Sequence, residues 1–200
     1  MNVGVSLNGD NNIDLIKFSN DHNIKYWYAC DGGVKHLEQY NIAPKSIVGD
    51  LDSINKKYDN IIKKEEQLTS DSEFLIKYLN EKYDDLKIFI VGAIGNNRIE
   101  HFYNNLITIN DNNVEIYLEN NIVYFTNKPI EIKYDRNCNY ISFFAISSLK
   151  NLTIENAKYN IFEKDIQTNE SFGLSNEFVI DQDINLLFDS GKVMIIKSIK

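Results

Sequence analysis

The chain has 200 residues, of which 43% are apolar and 25% are charged, and this composition is that of a folded globular protein rather than a disordered one. Its formal net charge of −8 argues against a general nucleic-acid-binding protein, which presents a basic surface. No run approaches the roughly 18 apolar residues of a membrane-spanning helix. The start, MNVGVSLNGD, lacks the pattern of a secretory signal, and two distant cysteines without metal-type spacing indicate a reducing compartment. We therefore expect a cytoplasmic protein without nucleic-acid or membrane partners.

The first 120 residues alternate between apolar runs and helical patterns. Strands are predicted at 3–7, 25–30, 46–49, 87–91 and 114–118, with helices around 12–20, 33–40, 71–82 and 98–109. This alternation is typical of βαβ units, so we predict a mainly parallel, Rossmann-like sheet with flanking helices. Ligands of such sheets bind beyond the carboxyl ends of the strands, which is where candidate site residues are sought.

The pattern changes near Asn127. The segments EIKY, YISFFAIS, LTIENAKYNI and INLLFDSGKVMIIKS are strand-like, DSG is typical of a hairpin turn, and no helix is predicted after residue 110. We therefore predict an α/β domain over residues 1–126 and a smaller antiparallel β domain over residues 127–200.

Two carboxylates follow the predicted strand 46–49. In an extended chain, Asp50 and Asp52 point to the same face, where the two like charges repel unless a cation lies between them. Mg²⁺ favours one or two carboxylates together with phosphate oxygens. The alternative is an Asp-rich turn in which Ser53 caps a short helix.

The stretch QLTSDSEFLIKYL carries a helix start. Ser70 and Glu73 have the spacing of a capping box, which places Asp71 in the first turn. Asp71 is a candidate metal-directed carboxylate, although the helix dipole alone also favours an acid there.

The stretch GAIGNNRIEHFYNNL is a glycine-containing turn between a strand and a helix, a geometry that leaves backbone N–H groups free for phosphate. Arg98, His101 and Asn105 form one polar stripe, and an arginine at this place suits phosphate recognition. A solvated helix face is the alternative. The predicted buried stripe of the same helix consists of Ile99, Phe102, Leu106 and Ile109.

Two further stretches carry candidate residues. In YACDGGVKHL, Asp31 follows an aromatic strand, and two glycines permit a close approach to the next helix. In FGLSNEF, Ser175 and Asn176 interrupt apolar strand sequence. Ordinary turns explain both stretches equally well.

In combination, the blocks CDGG, PKSIVGDLDS, QLTSD, GAIGNNRIEH and GLSNEF, in this order, resemble the thiamine pyrophosphokinase family. The resemblance runs from about Asn8 to the last residue. It implies transfer of pyrophosphate from ATP to thiamine with Mg²⁺ required, giving thiamine diphosphate and AMP. It also implies a homodimer with active sites at the subunit interface, in which each subunit has an α/β N-terminal domain and a β-sandwich C-terminal domain.

The resemblance assigns roles residue by residue. Its metal ligands are Asp50, Asp52 and Asp71, and its catalytic residues are these three with Asp31 and Arg98. The ATP-binding set is Asn8, Gln67, Ser70, Asp71, Arg98 and His101. The thiamine-binding set is Asp31, Tyr159, Ser175 and Asn176.

Three positions depart from the family's pattern. Phe74 stands where a lysine is common, Glu100 stands where an aspartate is usual, and Ser70 stands in place of a threonine. Three alternatives remain: a thiamine- or nucleotide-binding protein without catalysis, a metal-dependent glycosyltransferase of the Asp-x-Asp type, and a pyrophosphokinase acting on a pterin alcohol.

Overall fold

A computed structural model describes residues 1–49, 58–64, 68–95 and 98–200. Contacts divide the chain into two compact units. The first comprises Met1–Ile109 with Asn113–Glu119, and the second comprises Asn110–Asn112 with Asn120–Lys200.

The first unit is an α/β sheet structure. Its strands are β1 (Asn2–Ser6), β2 (Tyr26–Cys30), β3 (Ser46–Val48), β4 (Ile61–Ile62), β5 (Lys87–Val91) and β6 (Val114–Leu118). Its helices are α1 (Leu15–Asp21), α2 (Val34–Gln39), α3 (Asp71–Lys82) and α4 (Ile99–Thr108), and a single 3-10 turn covers Asp31–Gly33. The strands lie in the order β4-β3-β2-β1-β5-β6, and every pair is parallel. The predicted parallel sheet is confirmed, and β4 is an additional strand that the sequence did not reveal.

Burial explains why these strands form. The cores of β1, β2 and β5 are almost continuous apolar runs, which is the pattern of a parallel sheet covered on both faces. One apolar cluster joins α1 and α2 to the sheet through Phe18, Trp27, Leu37 and Phe89. This cluster fixes the strand ends from which the candidate residues project.

The second unit is all β. Its strands are β7 (Asn121–Thr126), β8 (Ile130–Ile132), β9 (Cys138–Glu155), β10 (Ile161–Ile166), β11 (Ile184–Leu187) and β12 (Ser190–Ile199). They lie in the order β7-β12-β9-β11-β8, with β10 also on β9, and every pair is antiparallel. A core of aliphatic and aromatic side chains, including Ile141, Phe143, Leu152 and Ile195, fills the space between the layers. The predicted antiparallel β-sandwich is confirmed.

The predicted hairpin at DSG is wrong. Strands β11 and β12 do not pair with each other, because both pair with the 18-residue β9. Leu187 lies opposite Thr153, whereas Ser190 lies opposite Lys150. The DSG bend therefore passes the chain from one stretch of β9 to the next instead of closing a hairpin.

In the ranges that the structure describes, none of the helices has the length and apolar character that crossing a membrane requires.

Candidate functional site

A cavity of about 350 Å³ opens at the carboxyl ends of β1, β2 and β5. The chain leaves β1 towards β2 on one side, and β5 lies on the other side of β1, so the cavity is at the point where the strand order reverses. Open α/β sheets bind their ligands at this point. The fold alone therefore marks the cavity as the candidate site.

The cavity brings together six residues that the sequence analysis selected. They come from four separate stretches of the chain and are Asn8, Asp31, Ser70, Asp71, Arg98 and His101. Three other selected residues of this unit, Asp50, Asp52 and Gln67, lie outside the described residues.

The first wall of the cavity is the turn after β2. Asp31 adopts a left-handed backbone conformation with φ of 43°, which aspartate tolerates better than most residues. The two glycines allow a close approach: a Cβ on Gly33 would lie 2.2 Å from the Ser6 carbonyl oxygen, and one on Gly32 would lie 2.1 Å from Asn8 Oδ1. The buried Ser6 hydroxyl donates to the Gly33 carbonyl at 2.8 Å. These contacts hold the turn that carries Asp31 against the segment 6–8.

The second wall is the start of α3. Ser70 caps the helix, since its Oγ accepts a hydrogen bond from the Glu73 N–H at 3.2 Å. Asp71 is the first helical residue, as predicted, and its Oδ1 lies 2.7 Å from Lys64 Nζ. Lys64 Nζ also donates to the Thr69 carbonyl at 2.7 Å. Lys64 therefore forms an ion pair with Asp71, whose position at the start of the helix is set by the capping residue Ser70.

The third wall is the start of α4. Arg98 keeps 60% of its side chain exposed, and its Nε donates to Glu100 Oε1 at 2.9 Å. This hydrogen bond lowers the pKa of the Glu100 carboxyl. Asn105 is buried, accepting from the Ser72 hydroxyl at 2.8 Å and donating to the Ala93 carbonyl at 3.4 Å. The predicted polar stripe of α4 thus faces the cavity.

The predicted apolar stripe of α4 is wrong at its first position. Ile99 is 73% exposed, whereas the helix buries Asn105 and its C-cap Ile109. The reason is that α4 borders a polar cavity at this end, so polar side chains occupy the inward face.

The electrostatics of the cavity are mixed. Burial raises the pKa of the Cys30 thiol, the negative charges of Asp71 and Asp31 raise it further, and Lys64 opposes them. Both carboxylates are thus close enough to act on one thiol. Oxygen ligands of this kind suit a hard cation such as Mg²⁺. Within the described ranges, no group of three His, Cys, Asp or Glu side chains forms a metal site, and the predicted ligands Asp50 and Asp52 lie outside these ranges.

Three lining or supporting residues were missed by the sequence analysis. Lys64 and Ser72 line the cavity, and the ring of His36 makes a hydrogen bond with the Gly9 carbonyl at 2.8 Å, which holds the loop after β1. The capping pattern around Ser70 could have directed attention to Ser72. No local pattern marks Lys64 or His36, because their partners are set by the tertiary fold.

In the second unit, the selected residues have different surroundings. Asn176 is fully buried: its Oδ1 accepts from the N–H groups of Tyr159 and Glu177, both at 2.9 Å, and its Nδ2 donates to the Tyr159 carbonyl at 2.8 Å. Ser175 is exposed with φ of 51°, and its N–H donates to the Ser142 hydroxyl at 2.9 Å. Tyr159 is 58% exposed. The Asn176 side chain therefore fixes the backbone of Tyr159 through hydrogen bonds to both its N–H and its carbonyl group.

Known proteins resemble this chain at two levels. Residues 20–118 match the family model of the thiamin pyrophosphokinase catalytic domain, and residues 129–193 match that of the thiamin pyrophosphokinase vitamin B1 binding domain. No curated protein matches the sequence.

Among solved structures, thiamine pyrophosphokinase from Bacillus subtilis has a TM-score of 0.86 and 22% identity, with all of both chains covered. A thiamin pyrophosphokinase family protein from Enterococcus faecalis has a TM-score of 0.84 and 19% identity, again over all of both chains. Thiamin pyrophosphokinase from Candida albicans has a TM-score of 0.78 and 18% identity, covering 98% of this chain and 88% of that one. At these identities the structures establish the shared fold. The two family models together establish the family: the chain belongs to the thiamin pyrophosphokinase family.

Proposed function

We propose that the chain is an ATP-dependent thiamine diphosphokinase, which transfers pyrophosphate from ATP to the hydroxyethyl group of thiamine and releases AMP. One observation carries this proposal. Six residues chosen for ATP binding or catalysis, from four separate sequence stretches, line one cavity at the switch point of the sheet. A solvated helix face or a set of unrelated turns would not bring them together.

The reaction requires positioning and charge neutralisation more than covalent participation of the protein. The thiamine hydroxyl oxygen forms a bond to the β-phosphorus of ATP as the bond between that phosphorus and the α-phosphate bridging oxygen breaks. A cavity carboxylate, Asp31 or Asp71, accepts the hydroxyl proton. Arg98, which is largely exposed at the cavity rim, is free to reorient towards the phosphates and stabilise the developing charge.

The metal requirement belongs to the same proposal. We assign Mg²⁺ to Asp50, Asp52 and Asp71, where it would neutralise phosphate charge when bound. Support from the described part of the site comes from Asp71, whose carboxylate lines the cavity at the start of a capped helix. Asp31 provides a second carboxylate in the same cavity lining.

On the thiamine side, we assign Ser175 and Tyr159 to direct contact and Asn176 to the support of Tyr159. The supporting observations are the exposure of the first two side chains and the complete burial of the third. An aromatic ring with one open face suits a flat heteroaromatic ligand.

We also propose a cytoplasmic homodimer, as the family resemblance implies. Helix α4 exposes Ile99 and Tyr103, which offer apolar area for contact with a second copy. Light scattering coupled to size-exclusion chromatography should give about twice the 23.2 kDa chain mass, and a mass near that of one chain would contradict the dimer.

The function is tested by incubating the purified protein with ATP, Mg²⁺ and thiamine and quantifying AMP and thiamine diphosphate together. We expect equal amounts of the two products, and a loss of at least about 100-fold in Asp52→Ala. Thiamine binding without AMP formation would instead identify a binding protein that lacks the reaction. Parallel incubations with a nucleotide sugar or a pterin alcohol test the other two alternatives, and turnover there but not with thiamine would contradict the proposal.

A further inference from the structure

The cavity lining contains a largely buried lysine, paired with a carboxylate and a backbone carbonyl, that has no role in the reaction as proposed above. Lys64 follows the two-residue strand β4, and only 18% of its side chain is exposed. Its ammonium group contacts Asp71 Oδ1 and the Thr69 carbonyl oxygen, both at 2.7 Å. By contrast, the guanidinium of Arg98, the other strongly basic group of the described lining, is on a side chain that is 60% exposed.

Burial of a lysine is costly unless an anion and further hydrogen bonds accompany it. Asp71 and Thr69 satisfy two of the three N–H donors of the ammonium group. Lys64 is also one of the residues that line the cavity, which brings the third donor within reach of a bound ligand. Lys64 is therefore positioned to donate to a ligand without leaving its present contacts.

Charge balance indicates what kind of ligand this is. The described lining contains the carboxylates of Asp31 and Asp71, and these raise the pKa of the neighbouring Cys30 thiol even though Lys64 acts in the opposite direction. Without Lys64, Arg98 would be the only strongly basic side chain of the described lining to offset these two carboxylates when a polyphosphate binds. A cation held 2.7 Å from Asp71 reduces that repulsion before any ligand arrives.

We propose that Lys64 is a resident counter-ion of Asp71 that keeps this carboxylate neutralised in the empty site and binds a phosphate oxygen of the nucleotide. This inference rests on the proposed function and adds a specific residue to it. The position of Lys64 also matters for Phe74, which stands where a lysine is common in the family. Lys64 is part of the described cavity lining, whereas Phe74 is not. The chain thus supplies a basic side chain from β4 instead of from α3.

Two consequences distinguish a counter-ion from a merely structural lysine. Metal-free ATP should bind less well without Lys64, since a phosphate contact is lost and a bare carboxylate faces the polyphosphate. A divalent cation on its own should bind more tightly, because it no longer competes with the ammonium group for Asp71. A structural role predicts neither change in a folded variant.

The test compares Lys64→Met, Lys64→Arg and the matched control Lys63→Met. Lys63 is the adjacent lysine, but it is exposed and does not line the cavity. The binding of ATP in EDTA is measured by isothermal titration calorimetry, and the binding of Mn²⁺ alone is measured by electron paramagnetic resonance. Circular dichroism verifies that each variant is folded.

We expect Lys64→Met to weaken metal-free ATP binding by about tenfold and to tighten Mn²⁺ binding several-fold, with Lys63→Met matching the wild type in both. Lys64→Arg should recover most of the ATP affinity because it keeps the charge. Equal behaviour of Lys64→Met and Lys63→Met would overturn the inference, as would ATP loss that Lys64→Arg fails to recover.

Failure of the proposed function looks different. A wild-type protein that binds ATP but makes no thiamine diphosphate would contradict the proposed reaction, while the Lys64 comparison would still decide the present inference. A wild-type protein that binds no ATP would overturn both.

Discussion

The two candidate regions of the chain use polar residues in opposite ways. In the α/β unit, the selected side chains line an open cavity, and one of them, Asp71, forms an ion pair with Lys64 of the same lining. In the β unit, the Asn176 amide is fully buried and satisfied by three hydrogen bonds to the backbone of Tyr159 and Glu177. The first arrangement keeps charged groups available for a ligand, whereas the second uses a polar group to fix the shape of a loop. A short polar motif in a sequence can indicate either role.

If the cavity residues serve a ligand, the largest expected effect of a substitution is a loss of catalysis on changing Asp71. Asp71→Asn keeps the shape of the side chain but removes the charge, so we expect kcat/KM to fall by about 10²–10³-fold while the protein remains folded. The rate is measured with saturating thiamine and varied ATP. Asp84→Asn, in an exposed position away from the cavity, is the matched control and should behave as the wild type. A wild-type rate in Asp71→Asn would place the catalytic charge elsewhere.

The next effect is on stability at Asn176. Asn176→Ala leaves two N–H groups and one carbonyl of the loop without their side-chain partner, so we expect unfolding to become easier by about 2 kcal/mol. Urea denaturation measures this difference. The KM for thiamine should rise with it because Tyr159 loses its support, while the KM for ATP should not change.

The adjacent serine provides the control for Asn176. Ser175→Ala removes an exposed hydroxyl, so we expect a stability change below about 0.5 kcal/mol. If Ser175→Ala destabilised the protein as much as Asn176→Ala, the distinction between a contact residue and a positioning residue in this loop would be lost.

A smaller effect is expected at the wall formed by Gly32. A Cβ at this position would lie 2.1 Å from Asn8 Oδ1, so Gly32→Ala must displace the Asn8 side chain into or away from the cavity. We expect the KM for ATP to rise about fivefold, which corresponds to about 1 kcal/mol. The KM for thiamine measured in the same assays should stay at its wild-type value, and a change in that constant alone would contradict the assignment of Asn8 to ATP.

The smallest expected effect is a difference in the alkylation rates of two thiols, Cys30 in the α/β unit and Cys138 in the β unit. Burial raises the pKa of both thiols, and Cys30 is buried whereas Cys138 is only partly so. Because the thiolate is the reactive form, iodoacetamide at pH 8 should label Cys138 faster than Cys30 in the folded protein. Peptide mass spectrometry over time gives the two rates. Faster labelling of Cys30 would show that the cavity is open to the reagent at that end.

Periodicity was sufficient to predict the parallel sheet and the antiparallel unit, since strands buried on both faces and half-buried strands have different patterns. The capping box around Ser70 gave the start of α3 at Asp71, as a local rule should. By contrast, the pairing of β11 and β12 depends on the long strand β9, and nothing in the DSG segment itself records that partner.

The site residues likewise divide into those that the local sequence indicates and those whose role depends on the tertiary fold. Asp31 and Arg98 follow strand ends and were found because parallel strands bring their carboxyl ends to one edge. Lys64 was missed because its ion pair with Asp71 depends on how the chain returns from β4 to α3. The burial of Asn176 was equally hidden, since its partners at Tyr159 are 17 residues away.

The most direct test of the account follows the phosphorus atoms themselves. In a ³¹P NMR time course with ATP, Mg²⁺ and thiamine, transfer at the β-phosphorus predicts that ATP disappears as AMP and a two-phosphorus ester appear in equal amounts, without ADP or orthophosphate. Appearance of ADP with a thiamine monophosphate, or of ADP with orthophosphate, would contradict pyrophosphate transfer and with it the central role assigned to the cavity.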